Sequence, residues 1–176
     1  MPNYLRAYLP GGSFFFTVVT HQRRRVFSND ATVDVLRNTV QDVRQRLPFT
    51  VDAWVVLPNH IHAIWTLPEG DADFSKRWGL IKATFTKRAI AAGFVDAGTP
   101  IWQPRFWEHR IRDERDFAAH IAYVYVNPVK HRLVSSVVEW PWSSFHRDVQ
   151  RGLYPAKWGS EIKVDESRQY GEPSDS

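Results

Sequence analysis

Two β-rich runs, 51–57 and 60–67, are separated only by Pro58-Asn59. Proline presets the first position of a tight turn and asparagine tolerates the second, so the runs should pair as an antiparallel hairpin. The return run opens His60-Ile61-His62. Successive side chains of a strand point to opposite faces, which puts the two imidazoles side by side with Ile61 turned away. Two neutral imidazoles so placed can grip one metal ion. The same spacing also suits a strand whose polar face simply carries two histidines.

Around this hairpin the pattern alternates between strand and helix. Residues 14–20, Phe-Phe-Phe-Thr-Val-Val-Thr, are apolar on both faces, as in a central strand. After His21-Gln22-Arg23-Arg24-Arg25, a charged loop that could meet a phosphate backbone, Ser28, Asn29 or Asp30 can cap a helix with Val33, Leu36, Val40, Val43 and Leu47 on one stripe. Pro48 stops it. A second amphipathic helix over 74–92 gathers Phe74, Trp78, Ile81, Phe85, Ala89 and Ala92, with Lys76, Thr84 and Lys87 opposite. A fourth strand is predicted over 106–111, and Asp113 can cap a third helix. This order predicts an α+β fold, an antiparallel sheet sandwiched by helices.

The third helix carries the second cluster of reactive side chains. At about 100° per residue, Phe117, Ile121, Val124 and Tyr125 share an apolar face, while His120, Tyr123 and Asn127 form a neighbouring polar ridge. Tyr123 and Tyr125 are roughly 200° apart, so both cannot face one site. Tyr123, in line with Asn127, is the better placed nucleophile, although an ordinary helix with hydrogen-bonding surface residues has the same pattern. Pro128 is expected to turn the chain at Asn127.

With 176 residues and 43% hydrophobic content, the chain can bury one sizeable core. It has no cysteine, which excludes thiolate metal ligands and fits a cytoplasmic location. Neither a signal-peptide layout nor an apolar run of ~20 residues is present, so no membrane association is expected. The net charge of +4 is uneven: residues 161–176 hold five acids and two bases, −3, leaving +7 on residues 1–160. A basic body suits a polyanion, and the acidic end reads as a disordered tail.

His60-Ile61-His62, followed by Phe106-Trp107-Glu108-His109-Arg110-Ile111-Arg112-Asp113 and by His120-Ile121-Ala122-Tyr123-Val124-Tyr125-Val126-Asn127-Pro128-Val129-Lys130-His131, resembles the REP-associated tyrosine transposases, single-tyrosine members of the HUH endonucleases. The resemblance runs from about Phe14 to Trp142. It implies an HUH nuclease fold with a ferredoxin-like core, His60, His62 and Asn127 as metal ligands, Tyr123 as nucleophile and His120 as support. The implied substrate is single-stranded or hairpin DNA at palindromic repeats, cut through a 5′-phosphotyrosine. The REP-associated group also looks monomeric, whereas insertion-sequence relatives donate the tyrosine across a dimer. Arg132 departs from the glycine that the family places after Lys130-His131.

An ion held by two imidazoles and an amide oxygen, otherwise by water or phosphate, suits Mg²⁺ or Mn²⁺. Tyrosine, with a pKa of about 10, needs a nearby cation or base before it attacks phosphorus. Candidate DNA contacts are Arg23, Arg24, Lys76, Lys82, Lys87, Arg110, Lys130 and His131, together with Trp140, Arg147, Lys157 and Trp158, where rings alternate with cations. The domain organisation expected is a catalytic part over 1–136, a DNA-recognition extension over 137–160 and the tail over 161–176. Two other functions fit the same residues. One is a hydrolytic phosphodiesterase in which the metal activates water, and the other a hairpin-binding regulator that has lost catalysis.

Overall fold

The computed structural model describes residues 11–160 together with 170 and 171. Strands β1 (Ser13–Val19), β2 (Thr50–Leu57), β3 (His60–Thr66) and β4 (Trp107–Arg110) pair antiparallel in the order β2-β3-β1-β4. Helices α1 (Asp30–Arg46) and α2 (Phe74–Ala91) connect them in the ferredoxin-like manner, and α3 (Glu114–Lys130) and α4 (Phe145–Gln150) follow. The antiparallel α+β sandwich read from the sequence is the fold observed. Among the described residues no helix is long and apolar enough to cross a membrane.

The alternation of β1 and β3 builds a core on each face of the sheet. Phe14, Phe16, Val18, Ile61, Ala63 and Trp65 pack with α1 and α2, where Trp65 stacks on Trp78 at 4.3 Å between ring centroids. An aromatic pair of this kind contributes about 0.5–1.5 kcal/mol beyond its area. Phe15, Val55, Leu57 and Ile64 pack instead with α3 and the segment after it. Each long helix begins on a side-chain cap: Asn29 accepts from Thr32 N, Asp73 from Lys76 N and Asp113 from Asp116 N. Such caps are worth about 1 kcal/mol each. The stripe of α2 differs from expectation at two positions. Ala92 is exposed. Arg77 is buried, and its guanidinium holds Asp71 and the carbonyls of Leu47, Pro48 and Asp73.

Two expectations for the C-terminal third are corrected. Pro128 does not end α3, which runs on to Lys130. A proline in the last turn forgoes one backbone donor, a small loss beside the burial of Val124, Tyr125 and Val126 one turn earlier. The segment 137–160 is not a set of outward rings and cations. The edge of β2 needs hydrogen-bond partners: Val56 N donates to Trp142 O at 2.9 Å and Ser144 N to Trp54 O at 2.9 Å. Trp140 is buried with its indole N–H on Val56 O, Arg147 donates to the carbonyls of Val51 and Asp52, and Trp158 packs on Tyr125, Phe145 and Tyr154. Their rings and donors are therefore engaged within the fold, and only Lys157 of the four expected contacts there is exposed. Of the expected acidic tail, 161–169 and 172–176 lie outside the described residues.

The departure at Arg132 has a backbone signature. Arg132 N bonds to Val129 O and Leu133 N to Pro128 O, the paired bonds of a helix end that places the intervening residue in the left-handed region, and Arg132 has φ +57°. The turn survives without its glycine at a steric cost. Arg132→Gly should therefore raise the unfolding free energy by about 1 kcal/mol, measured by denaturant titration. No change or a loss would contradict the assigned strain.

Candidate active site

The hairpin turn sets the first half of the site. Asn59 O accepts from both the amide and the hydroxyl of Thr20, and Pro58 O accepts from Phe27 N, so the turn is pinned from two sides before β3 begins. His60 and His62 then stand on the α3 face, fully buried, with ring centroids 4.8 Å apart. Cross-strand pairing places Thr17 opposite His62.

Hydrogen bonds fix the tautomers. Asn59 Oδ1 lies 2.7 Å from His60 Nδ1, and an amide oxygen only accepts, so Nδ1 carries the proton. His60 Nε2 is then a bare, buried nitrogen without a hydrogen bond. Thr17 Oγ1 donates to Tyr170 O at 2.5 Å and lies 2.9 Å from His62 Nδ1. With its proton so engaged, the hydroxyl accepts from His62 Nδ1–H, leaving Nε2 as that ring's lone pair. Burial holds the pKa of both histidines well below the usual 6.5. The neighbouring His62 and His131 lower His60 further while Asn127 opposes, and His131 and Lys130 lower His62. Both rings are thus neutral at neutral pH.

The second half comes from α3. Tyr123 presents its ring edge-on to His62, centroids 5.2 Å apart, and Asn127, one turn on, is fully buried near His60. Lys130 Nζ donates to Tyr123 Oη at 3.3 Å and sits 5.1 Å over the same ring. His131 closes the far side, its ring 5.2 Å from His60. Lys130 and His131, expected to contact DNA, lie beside the histidine pair. Their sequence signal was only proximity to Asn127. His120 meets the pair through Phe15, which stacks on His62 at 5.5 Å and packs against His120 at 4.9 Å. Tyr125 faces away and donates to Asp148 while lying 3.1 Å from Ser144 Oγ. Burial and the Asp148 carboxylate push its phenol far above the usual tyrosine range.

Tyr170 has no counterpart in the sequence reading. Its ring stacks on Tyr123 at 3.7 Å and 23°, and meets His120 and Phe15 edge-on. Gly171 lies so close to Trp107 that a Cβ there would fall 2.3 Å from the Trp107 Cβ. This part of the expected disordered tail is therefore packed over the phenol, a contact between residues too far apart in sequence to leave a periodic signal.

The remaining expected DNA contacts are dispersed. Lys76 and Lys87 are exposed on α2, whereas Lys82 donates to Gln103 O. Arg110 is exposed with its guanidinium over Phe14. Arg23 is half-buried with φ +53°, and Arg24 donates to Pro100 O at the wall of a pocket of about 300 Å³ beside the start of α1.

The donor set fits a divalent ion. It offers two neutral imidazoles with unprotonated Nε2 atoms, one of them buried without a partner, and an adjacent amide. A phenol and an ammonium adjoin it, so an ion and a nucleophile can act on one phosphodiester.

The sequence matches the family described as "Transposase IS200 like" over residues 13–112, a span that includes His60 and His62 and stops short of Tyr123. A REP-associated tyrosine transposase of Escherichia coli (strain K12) is 49% identical over 162 residues, 92% of this chain and 93% of that one. A Haemophilus influenzae protein assigned provisionally to the same group is 39% identical over 90% of this chain and 94% of its own length. A solved structure described as a REP-associated tyrosine transposase bound to a REP hairpin superposes with a TM-score of 0.82 at 46% identity, each chain covered in full. The relatives extend the match through α3, and the chain belongs to the IS200-like transposases and, within them, to the REP-associated tyrosine transposases.

Proposed function

We propose that the chain cuts and rejoins one DNA strand at hairpins formed by palindromic repeats, with Tyr123 as nucleophile and His60, His62 and Asn127 as ligands of Mg²⁺ or Mn²⁺. The observation that carries this reading is Tyr123 standing between His62 and Lys130. Hairpin DNA as partner is supported by the hairpin bound in the similar solved structure. When bound, the divalent ion would polarise the phosphodiester and offset its charge.

The protein's own groups do the rest. Lys130 places a positive charge beside the Tyr123 oxygen, favouring loss of its proton. The Tyr123 oxygen then bonds to phosphorus while the bond to the 3′-oxygen breaks, giving a 5′-phosphotyrosine and, once protonated, a free 3′-hydroxyl. Reversal with another 3′-hydroxyl rejoins the strand. Asn59 and Thr17 keep the two imidazoles in ligating orientation throughout. Since His60, His62, Tyr123 and Asn127 meet within one chain, a monomer suffices. The exposed cations Lys76, Lys87, Arg110 and Lys157 are the surface we assign to DNA phosphates.

Tyr123→Phe should bind hairpin oligonucleotides normally and form no denaturation-resistant adduct. Tyr125→Phe should still form it, but at a cost of about 1–3 kcal/mol in stability, because the buried Asp148 Oδ2 loses the phenol that donates to it. Excess chelator should stop adduct formation in the wild type. Cleavage without any adduct would favour hydrolysis over strand transfer.

Tyr170 covers the phenol, so Tyr170→Ala in the full chain should accelerate adduct formation several-fold. An unchanged or slower rate in a single-turnover assay would show that the stack does not obstruct the site.

Because His60 and His62 are neutral when folded and titrate near 6.5 when unfolded, the unfolded chain binds more protons below that pH. Stability of the metal-free protein should be full above about pH 6.5 and fall as pH drops toward the depressed folded values. His60→Gln and His62→Gln should each flatten the slope, read from denaturation midpoints across pH 5–7.5.

A further inference from the structure

Across Phe15 from the histidine pair, β4 and α3 assemble a second set of donors that strand cutting does not use. His109 Nε2 lies 2.9 Å from Asp116 Oδ2, and His120 Nδ1 lies 3.2 Å from Asp116 Oδ1. One donor atom from each residue falls within 4.8 Å of the others. The two imidazoles are nearly parallel, 14° apart with centroids at 4.6 Å, and the carboxylate turns one oxygen to each. Asp116 and His120 are buried side chains at 8% exposure, whereas His109, at 29%, opens the set to solvent.

We propose that His109, Asp116 and His120 form a second metal site, selective for a borderline transition-metal ion such as Zn²⁺ or Co²⁺. Two imidazoles and one carboxylate with open positions are a donor set of catalytic zinc sites, and nitrogen-rich ligation favours Zn²⁺ and Co²⁺ over the hard, strongly hydrated Mg²⁺. In the metal-free protein the carboxylate accepts a hydrogen bond from His109 and lies beside the His120 ring. It also accepts from Arg112 N at 2.9 Å. Burial would raise the Asp116 carboxyl, but the Arg112 amide and His109 hold it below the usual range, so it is an anion ready to ligate. His120 Nδ1 also lies 2.8 Å from the Asp116 carbonyl, a hydrogen bond that the ion would displace. Arg112 competes as the local cation, with Nε 3.5 Å from Asp116 Oδ2, yet its side chain is 76% exposed and free to swing into solvent.

Occupancy would tie the edge strand to the first two turns of α3, with His120 one turn before Tyr123. Its effect should therefore be structural stiffening, separable from the ion that strand cutting needs.

The test uses the full-length chain with His60→Gln and His62→Gln, which removes the first site's imidazoles. Isothermal titration with Zn²⁺ should give one ion per chain, accompanied by a rise in Tm. Adding His109→Gln should abolish both, with circular dichroism confirming the fold. Co²⁺ substitution should give visible d–d bands in the first variant and none in the second. If the His60→Gln/His62→Gln chain bound no Zn²⁺, or bound it equally with and without His109, the second site would be overturned. Should that chain fail to fold, wild-type and His109→Gln proteins decide the matter: a stoichiometry equal in the two overturns the site, and one ion fewer in the variant supports it.

Discussion

Everything at the site depends on the register of β3 against β1. A slip of one residue would carry His60 and His62 into the core under α1 and α2 and turn Ile61 and Ala63 toward α3. Two features prevent it. The two-residue turn is held through Asn59 O and Pro58 O, and Trp65 fills a slot between Phe16, Phe49 and Trp78 that no neighbour in the strand could fill. Thr17 opposite His62 then becomes a consequence of pairing, and its hydroxyl, with the proton given to Tyr170 O, sets the tautomer of His62.

The polar residues of α3 show how a polar cluster is tolerated inside a core. Tyr123 and Asn127 are as buried as their apolar neighbours, which would be costly for unpaired polar groups. Mutual proximity offsets the cost, and the two histidines adopt the neutral form, which low dielectric penalises least. A lysine supplies charge from the edge of the cluster, where its ammonium sits over the tyrosine ring.

Periodicity made the hairpin, the three long helices and the separation of Tyr123 from Tyr125 legible, because strand and helix repeats assign faces without knowledge of the partner. It could not assign direction to Trp140, Arg147 or Trp158. Rings alternating with cations look the same whether they meet bases or, as here, the edge of β2 and the back of α3. Pro128 misled because a proline rule for helix interiors carries less force in a final turn. Tyr170 was illegible for a different reason: its carbonyl meets Thr17 across 153 positions, and such a contact is written in neither residue's surroundings.

The placement of Tyr123 in the middle of a buried helix, one turn from Asn127, leaves the proposed nucleophile no hinge. A tyrosine on a mobile loop could carry a linked strand from one place to another like a crane. Here the attached 5′ end would stay where the bond was made, as in a vice, and the travelling part in any rejoining would be the free 3′ end. Strand exchange by such a protein is then governed by the flexibility of the nucleic acid, and the distance between donor and acceptor is set by how far the DNA can fold back on itself.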